Sequence, residues 1–186
     1  MRQYFAKGGF DQSIGLDPCS HKSEQIANVA WGPTDNGLER EWAGVDTVYV
    51  NPPFSSIQDW MKKLSESMKA KSGPALGLAL VPSFCMNASW CIDLITSHAY
   101  AVLRKNVTCK TEVSSSSGSS GEDSDSGVRP GKRVHVADPS CILIVMVNQD
   151  IAGEDEDKKQ YWRILADVFG EEATVFEPAK CVKVSN

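Results

Sequence analysis

The chain has 186 residues, 41% apolar and 23% charged, with a formal net charge of −5 at pH 7. That suits one domain able to bury a core of its own, in the composition range of ordinary globular proteins. No stretch approaches the ~18–20 apolar residues of a membrane span, "MRQYFAKGGFDQ" lacks the apolar run of a secretory signal, and the net acidity is mildly unfavourable for a nucleic-acid partner, which usually meets a basic face.

The acid is concentrated, however, in "GEDSDSG" (121–127) and "GEDED" (153–157). Without Glu122, Asp123, Asp125, Glu154, Asp155, Glu156 and Asp157 the remaining body is slightly basic, which leaves room for a local phosphate-facing patch. Cys19, Cys85, Cys91, Cys109, Cys141 and Cys181 form no CxxC pair. They read as reduced thiols of an intracellular protein, cytoplasmic or nuclear, rather than as a disulfide or zinc framework.

In chain order, "SIGLDP" (13–18) is a short buried strand stopped by Pro18. "SEQIANVAW" (23–31) suggests a short helix followed by a turn or strand. "GPTDNGLEREW" (32–42) is loop material closing on a short amphipathic turn. "VDTVYV" is β-branched and reads as a strand ending at Asn51. "SSIQDWMKKLSESMKAK" places Ile57, Trp60, Met61, Leu64 and Met68 at helical spacing, with Ser55 or Ser56 as the cap. "ALGLALVP" is another buried strand, and "NASWCIDLITSH" a helix with Asn87 or Ser89 near its cap. "AYAVLRK" and "CILIVMVN" read as strands, "KKQYWRILADVFG" as a helix ending at Gly170, and "AKCVKVS" as a last strand. The tract 114–127, "SSSSGSSGEDSDSG", buries no apolar area and reads as a disordered insertion within a single domain spanning 1–186.

Apolar strands alternating with helices specify a compact α/β, Rossmann-like fold, its sheet mostly parallel with helices on both faces. Ligands of such sheets sit at the carboxyl ends of the strands. "LDPC", "VNPPF" and "LVPSF" all fall at strand ends and should share one rim.

"VNPPF" carries the most specific chemistry. Two successive prolines remove two backbone donors and fix two φ angles, making a rigid shelf where the strand stops. An exocyclic amine on a nucleobase is a weak nucleophile, because its lone pair is delocalised into the ring. The Asn51 carboxamide oxygen and the Pro52 carbonyl can accept its two hydrogens, Pro53 stiffens the shelf, and Phe54 can stack on a base taken out of its helix. Such chemistry depends on positioning and electrostatics. His21, His98 and His135 show no ligand spacing, so no metal is expected.

The order "LDPCS", "TDNGLEREWAG", "VYVNPPFSSIQDWMKK", "LALVPS" and then Pro139-Ser140 before "CILIVMV" resembles the phage-type DNA N6-adenine methyltransferase (Dam) family over about residues 10–148. NPP-aromatic alone is also similar to motif IV of S-adenosylmethionine (SAM) dependent enzymes acting on RNA adenine or protein glutamine. The resemblance implies SAM as cofactor and an adenine flipped from double-stranded DNA as acceptor. It implies that Asn51, Pro52, Pro53 and Phe54 are catalytic. Asp17 and Pro18 would belong to the SAM site, with a turn cap as the alternative for Asp17. Asp35 would contact the adenosine moiety, unless it merely closes an Asx-turn. Arg129, Lys132 and Arg133 in "RPGKRVH" would meet DNA phosphates, or lie in a solvated loop. Trp42, Trp60 and Trp90 read as core aromatics.

Three departures qualify the resemblance: "DPCSHKSEQ" holds no GxGxG loop, the N-terminal segment is short for the family, and the stretch between "LDPC" and "NPPF" requires a compressed fold. The alternatives are therefore the same chemistry on RNA or protein, or a non-catalytic nucleic-acid-binding remnant. Oligomeric state, protein partners and recognition sequence have no signature in the chain.

Overall fold

The computed structural model describes residues 14–20, 26–103, 141–148, 150, 160–161, 163–164, 167–168 and 173–176. The acidic serine tract, the basic "RPGKRVH" stretch and "AKCVKVS" lie outside them.

Among the described residues, seven strands form one sheet: β1 (Ile14–Asp17), β2 (Ala27–Ala30), β3 (Thr47–Val50), β4 (Leu76–Pro82), β5 (Ala99–Leu103), β6 (Cys141–Val147) and β7 (Ala173–Phe176), in the spatial order β2-β1-β3-β4-β6-β5-β7. The pairs β1–β2, β1–β3 and β3–β4 are parallel, whereas β4–β6, β5–β6 and β5–β7 are antiparallel. Five of the seven strands therefore point one way, and only β6 and β7 run against them. The expected α/β architecture holds, with a parallel half on the β1 side and an antiparallel half beyond β4. Of the alternatives for "SEQIANVAW" the strand holds, as β2, while residues 23–25 of the expected short helix lie outside the described residues, and "ATVF" supplies an edge strand that its sequence did not announce.

Helix α1 (Ile57–Lys69) follows β3, and helix α2 (Ser89–Ser97) follows β4. The buried residues of α1 are Ile57, Trp60, Met61, Leu64 and Met68, the same five whose spacing predicted the helix. They recur at helical period, so the stripe turns toward the sheet whatever the neighbouring sequence does. Ser56 takes the N-cap position of α1, one of the two serines expected there, but its side chain makes no cap hydrogen bond; a 3₁₀ turn at Phe54–Ser56 leads into the helix, and the Ser56 N–H donates to the Pro53 carbonyl at 3.1 Å. At α2 the cap position is Ala88, one residue from each of the two expected, and its side chain bonds nothing.

Alternation along the strands divides the core into two layers. Leu76, Leu78 and Leu80 of β4 and Leu143 and Val145 of β6 face one side, where Ile164, itself helical, packs against them. Ala79, Val81, Ile142, Ile144 and Met146 face the other, under the α1 stripe and Cys91 of α2. Both faces are thus roofed, as near-continuous apolar strands require. Among the described residues no helix is long and apolar enough to cross a membrane.

Candidate active site

The strand order reverses beside β1: the chain leaves β1 for β2 on one side, then returns to place β3 on the other. A crevice opens at such a switch point, outside the carboxyl ends of the strands. Asp17 ends β1, and Asn51 follows directly on β3. Leu16 registers with Val48, so both residues project at the same rim of neighbouring strands. "LVPSF" continues that rim at the end of β4, parallel to β3. The three strand-end motifs share one edge, as the alternation had required.

Asp17 is buried, at 5% exposure. Its Oδ1 accepts the Cys19 N–H at 3.2 Å, a local turn contact that matches the cap reading. Burial nevertheless dominates its electrostatics. Desolvation raises the carboxyl from 3.8 to about 6, against the opposing bonds from Cys19 and Ser20. Among the described residues no cation acts on it, so the hydrogen bonds from Cys19 and Ser20 only partly compensate the buried charge.

Cys19 sits between Asp17 and Asn51. Burial first, and then the Asp17 charge, push its thiol well above the ordinary range, while the Asn51 backbone N–H bonds its sulfur and opposes the shift. The Cys19 thiol thus lies within reach of both the Asp17 carboxylate and the Asn51 backbone, at the rim that β1 and β3 share. No sequence signal singled out Cys19; within "LDPCS" it was only a small residue of the motif.

The shelf is built as its prolines demand. Pro52 is buried and Pro53 exposed, with Pro53 extended at φ −62° and ψ 140°. The Pro53 carbonyl is committed to Ser56 N–H, which leaves that of Pro52 as the proline acceptor nearer Asn51. Asn51 is exposed, and Phe54 is 65% exposed. Phe54 meets Phe84, itself 61% exposed, edge to face at 6.3 Å between ring centroids. Phe84 was missed in the sequence, although "VPSF" repeats the strand-proline-aromatic pattern of "VNPPF".

The loop 32–42 packs against the same end of β1. Trp31 N–H donates to the Asp17 carbonyl and Ser20 N–H to the Trp31 carbonyl, each at 2.9 Å. Gly37 lies so close to the Pro18 carbonyl that a Cβ there would collide with it, and would stand 3.0 Å from Trp60 Cη2. The Gly37 carbonyl accepts Trp42 Nε1–H at 2.9 Å, and Trp42 stacks on Trp60 at 6.2 Å. Trp42 and Trp60 are buried core aromatics, whereas Trp90 is only half-buried.

Asp35 spends both side-chain oxygens locally. Oδ2 accepts Gly32 N–H at 2.8 Å, and Oδ1 pairs with Arg40 at 3.4 Å, while Arg40 also lies 5.1 Å over the Trp31 ring. The carboxylate reaches back to its own turn, as the Asx alternative anticipated in kind, rather than into the crevice. Arg129, Lys132 and Arg133 lie outside the described residues, and among the described residues no group of His, Cys, Asp and Glu is arranged to hold a metal.

One rim thus brings together a desolvated carboxylate, an exposed asparagine followed by two prolines, and an exposed aromatic ring. Residues 4–91 match the family model described as DNA N-6-adenine-methyltransferase (Dam). The match takes in Asp17, the Asn51–Phe54 shelf and Phe84, and it bears out the family resemblance over that segment. Among curated proteins, no sequence matches this chain.

Proposed function

We propose that this chain, whose residues 4–91 carry the Dam-family match, is a SAM-dependent methyltransferase acting on adenine N6 in DNA. One observation supports this above the rest: Asp17 and Asn51 stand at one rim of neighbouring strands at the switch point, with Cys19 influenced by both. Donor and acceptor need such a shared space.

The residues at β1 suit the cofactor. A carboxylate buried without a cation is destabilised, and its pKa near 6 records that. A ligand bearing an ammonium or sulfonium centre and hydroxyl groups supplies the missing compensation. Asp17 would hold those groups, Pro18 would fix the turn that aims it, and Asp35 would act through the shape of the 32–42 loop. When bound, SAM supplies a methyl group activated by a positively charged sulfur.

The acceptor side follows from the shelf. Asn51 Oδ1 and the Pro52 carbonyl take the two hydrogens of an adenine amino group. Both oxygens can only accept, so with both amino hydrogens engaged the nitrogen becomes more tetrahedral and its lone pair is aimed at the methyl donor. Phe54 stacks on the ring of the flipped base. Pro53 holds the shelf rigid, so the acceptor pair undergoes no reorganisation during transfer. Arg129, Lys132 and Arg133 would fix the duplex by its phosphates.

The test is methyl transfer from labelled SAM to duplex DNA, RNA and protein acceptors, followed by identification of the methylated atom. Label on adenine N6 of DNA is expected, and Asn51→Ala, at an exposed position, should abolish it with the fold retained. Label on RNA or on glutamine would redirect the same chemistry to another acceptor. Undiminished transfer by Asn51→Ala would remove the shelf from the reaction.

A further inference from the structure

We infer that Phe84 is a second nucleobase platform, which takes the nucleotide adjoining the one held at Asn51. The inference rests on the DNA-methyltransferase reading above.

Large apolar side chains are normally buried, yet Phe54 and Phe84 are 65% and 61% exposed on the same rim. Their rings are perpendicular, at 86°, and in contact at 6.3 Å. Perpendicular rings in contact form a corner, and one planar base cannot stack on both. Each ring therefore serves a different base, or one of them serves none.

The surroundings of Phe84 favour the first. A cavity of about 390 Å³ opens beside the pair, lined by the rings of Phe54, Phe84 and Trp90 and by the polar residues Ser55, Gln58 and Asp59. Neither Asn51 nor Asp17 borders it. Aromatic rings combined with a few hydrogen-bonding groups are the ordinary make-up of a site for a flat, polar-edged ligand. A nucleobase has that form, and the Asp59 carboxylate accepts only, which suits a base that offers an amino group such as cytosine N4. Because the cavity adjoins Phe54 without reaching Asn51, its occupant is a neighbour of the target base on the same strand.

The contact also has a basis in the topology. β3 and β4 are parallel neighbours, so "VNPPF" and "VPSF" end side by side, and each proline-broken strand end throws its aromatic outward. Phe84 lies at the second position of a 3₁₀ turn, Ser83–Asn87, that precedes α2. The platform is thus held between two regular elements.

The probe is a labelled single-stranded oligodeoxynucleotide carrying one adenine, bound to the full chain and followed by fluorescence anisotropy. Phe84→Ala should weaken binding by about 5- to 150-fold, as expected for the loss of one base–aromatic stack, and Phe84→Tyr should restore it. An abasic site on the correct side of the adenine should weaken the natural chain by a similar factor and leave Phe84→Ala unaffected. Binding indifferent to Phe84→Ala, or no binding of any oligonucleotide, overturns the inference. Methyl transfer measured on the same samples separates the two readings. Transfer to DNA with Phe84-independent binding overturns the platform alone. Phe84-dependent binding without transfer overturns the transferase reading and keeps the platform.

Discussion

Asp17 offers the sharpest quantitative test, because its burial acts against stability while serving the site. Its carboxyl titrates near 6 in the folded chain, against 3.8 for the ordinary group. Between those values the native state holds a proton that the unfolded chain has released, so stability falls as pH rises. The contribution is fully present below pH 3.8 and fully lost once pH passes about 6. Roughly two pKa units at 1.36 kcal/mol each correspond to ~3 kcal/mol, a large share of a typical domain's stability. Asp17→Asn keeps an Oδ1 acceptor for the Cys19 N–H and removes the charge. The variant should therefore be close to the natural chain below pH 4 and about 3 kcal/mol more stable above pH 6. Urea unfolding at a series of pH values, with m unchanged, measures the difference directly. A stability difference that stays flat across that range would refute the claim that this carboxylate is desolvated without a cationic partner.

The same titration governs the proposed cofactor. SAM should bind the carboxylate form, so affinity measured by calorimetry should fall about tenfold per pH unit below pH 6 and level off above it; a flat profile would remove Asp17 from the cofactor site. Gly37→Ala should cost about 1–3 kcal/mol, because the added Cβ meets the Pro18 carbonyl and the backbone must move. Its urea midpoint should drop accordingly, and an unchanged midpoint would show that the loop does not clamp β1. Replacing Arg129, Lys132 and Arg133 together by alanine should weaken duplex DNA binding uniformly across sequences. The slope of log affinity against log salt should also become shallower by about 0.9 for each phosphate that is no longer neutralised. An unchanged slope would place these three residues away from the phosphates.

Part of this protein was readable before any coordinates, and the reason is local. The α1 stripe follows from the spacing of five residues on one helix, and the shelf follows from two prolines that restrict their own φ angles. Neither depends on a distant neighbour. The alternation of apolar strands with helices likewise implied a sheet roofed on both faces and a common rim for "LDPC", "VNPPF" and "LVPSF".

What the tertiary structure decided is non-local. Strand order is one such matter: β6 runs antiparallel between β4 and β5, a choice among edges that no single segment encodes. The state of Asp17 is another, since desolvation depends on everything packed around the carboxylate, and "LDPC" reads the same whether it is wet or dry. Asp35 could not be assigned from "TDNGL" because its partners, Gly32 N–H and Arg40, are chosen only when the loop closes. The meeting of Phe54 with Phe84 required β3 and β4 to lie side by side, although the two rings are far apart along the chain. Residue order sets the chemistry that each strand end carries. Adjacency and exclusion of water, which arise only when the sheet assembles, determine which of those groups act together.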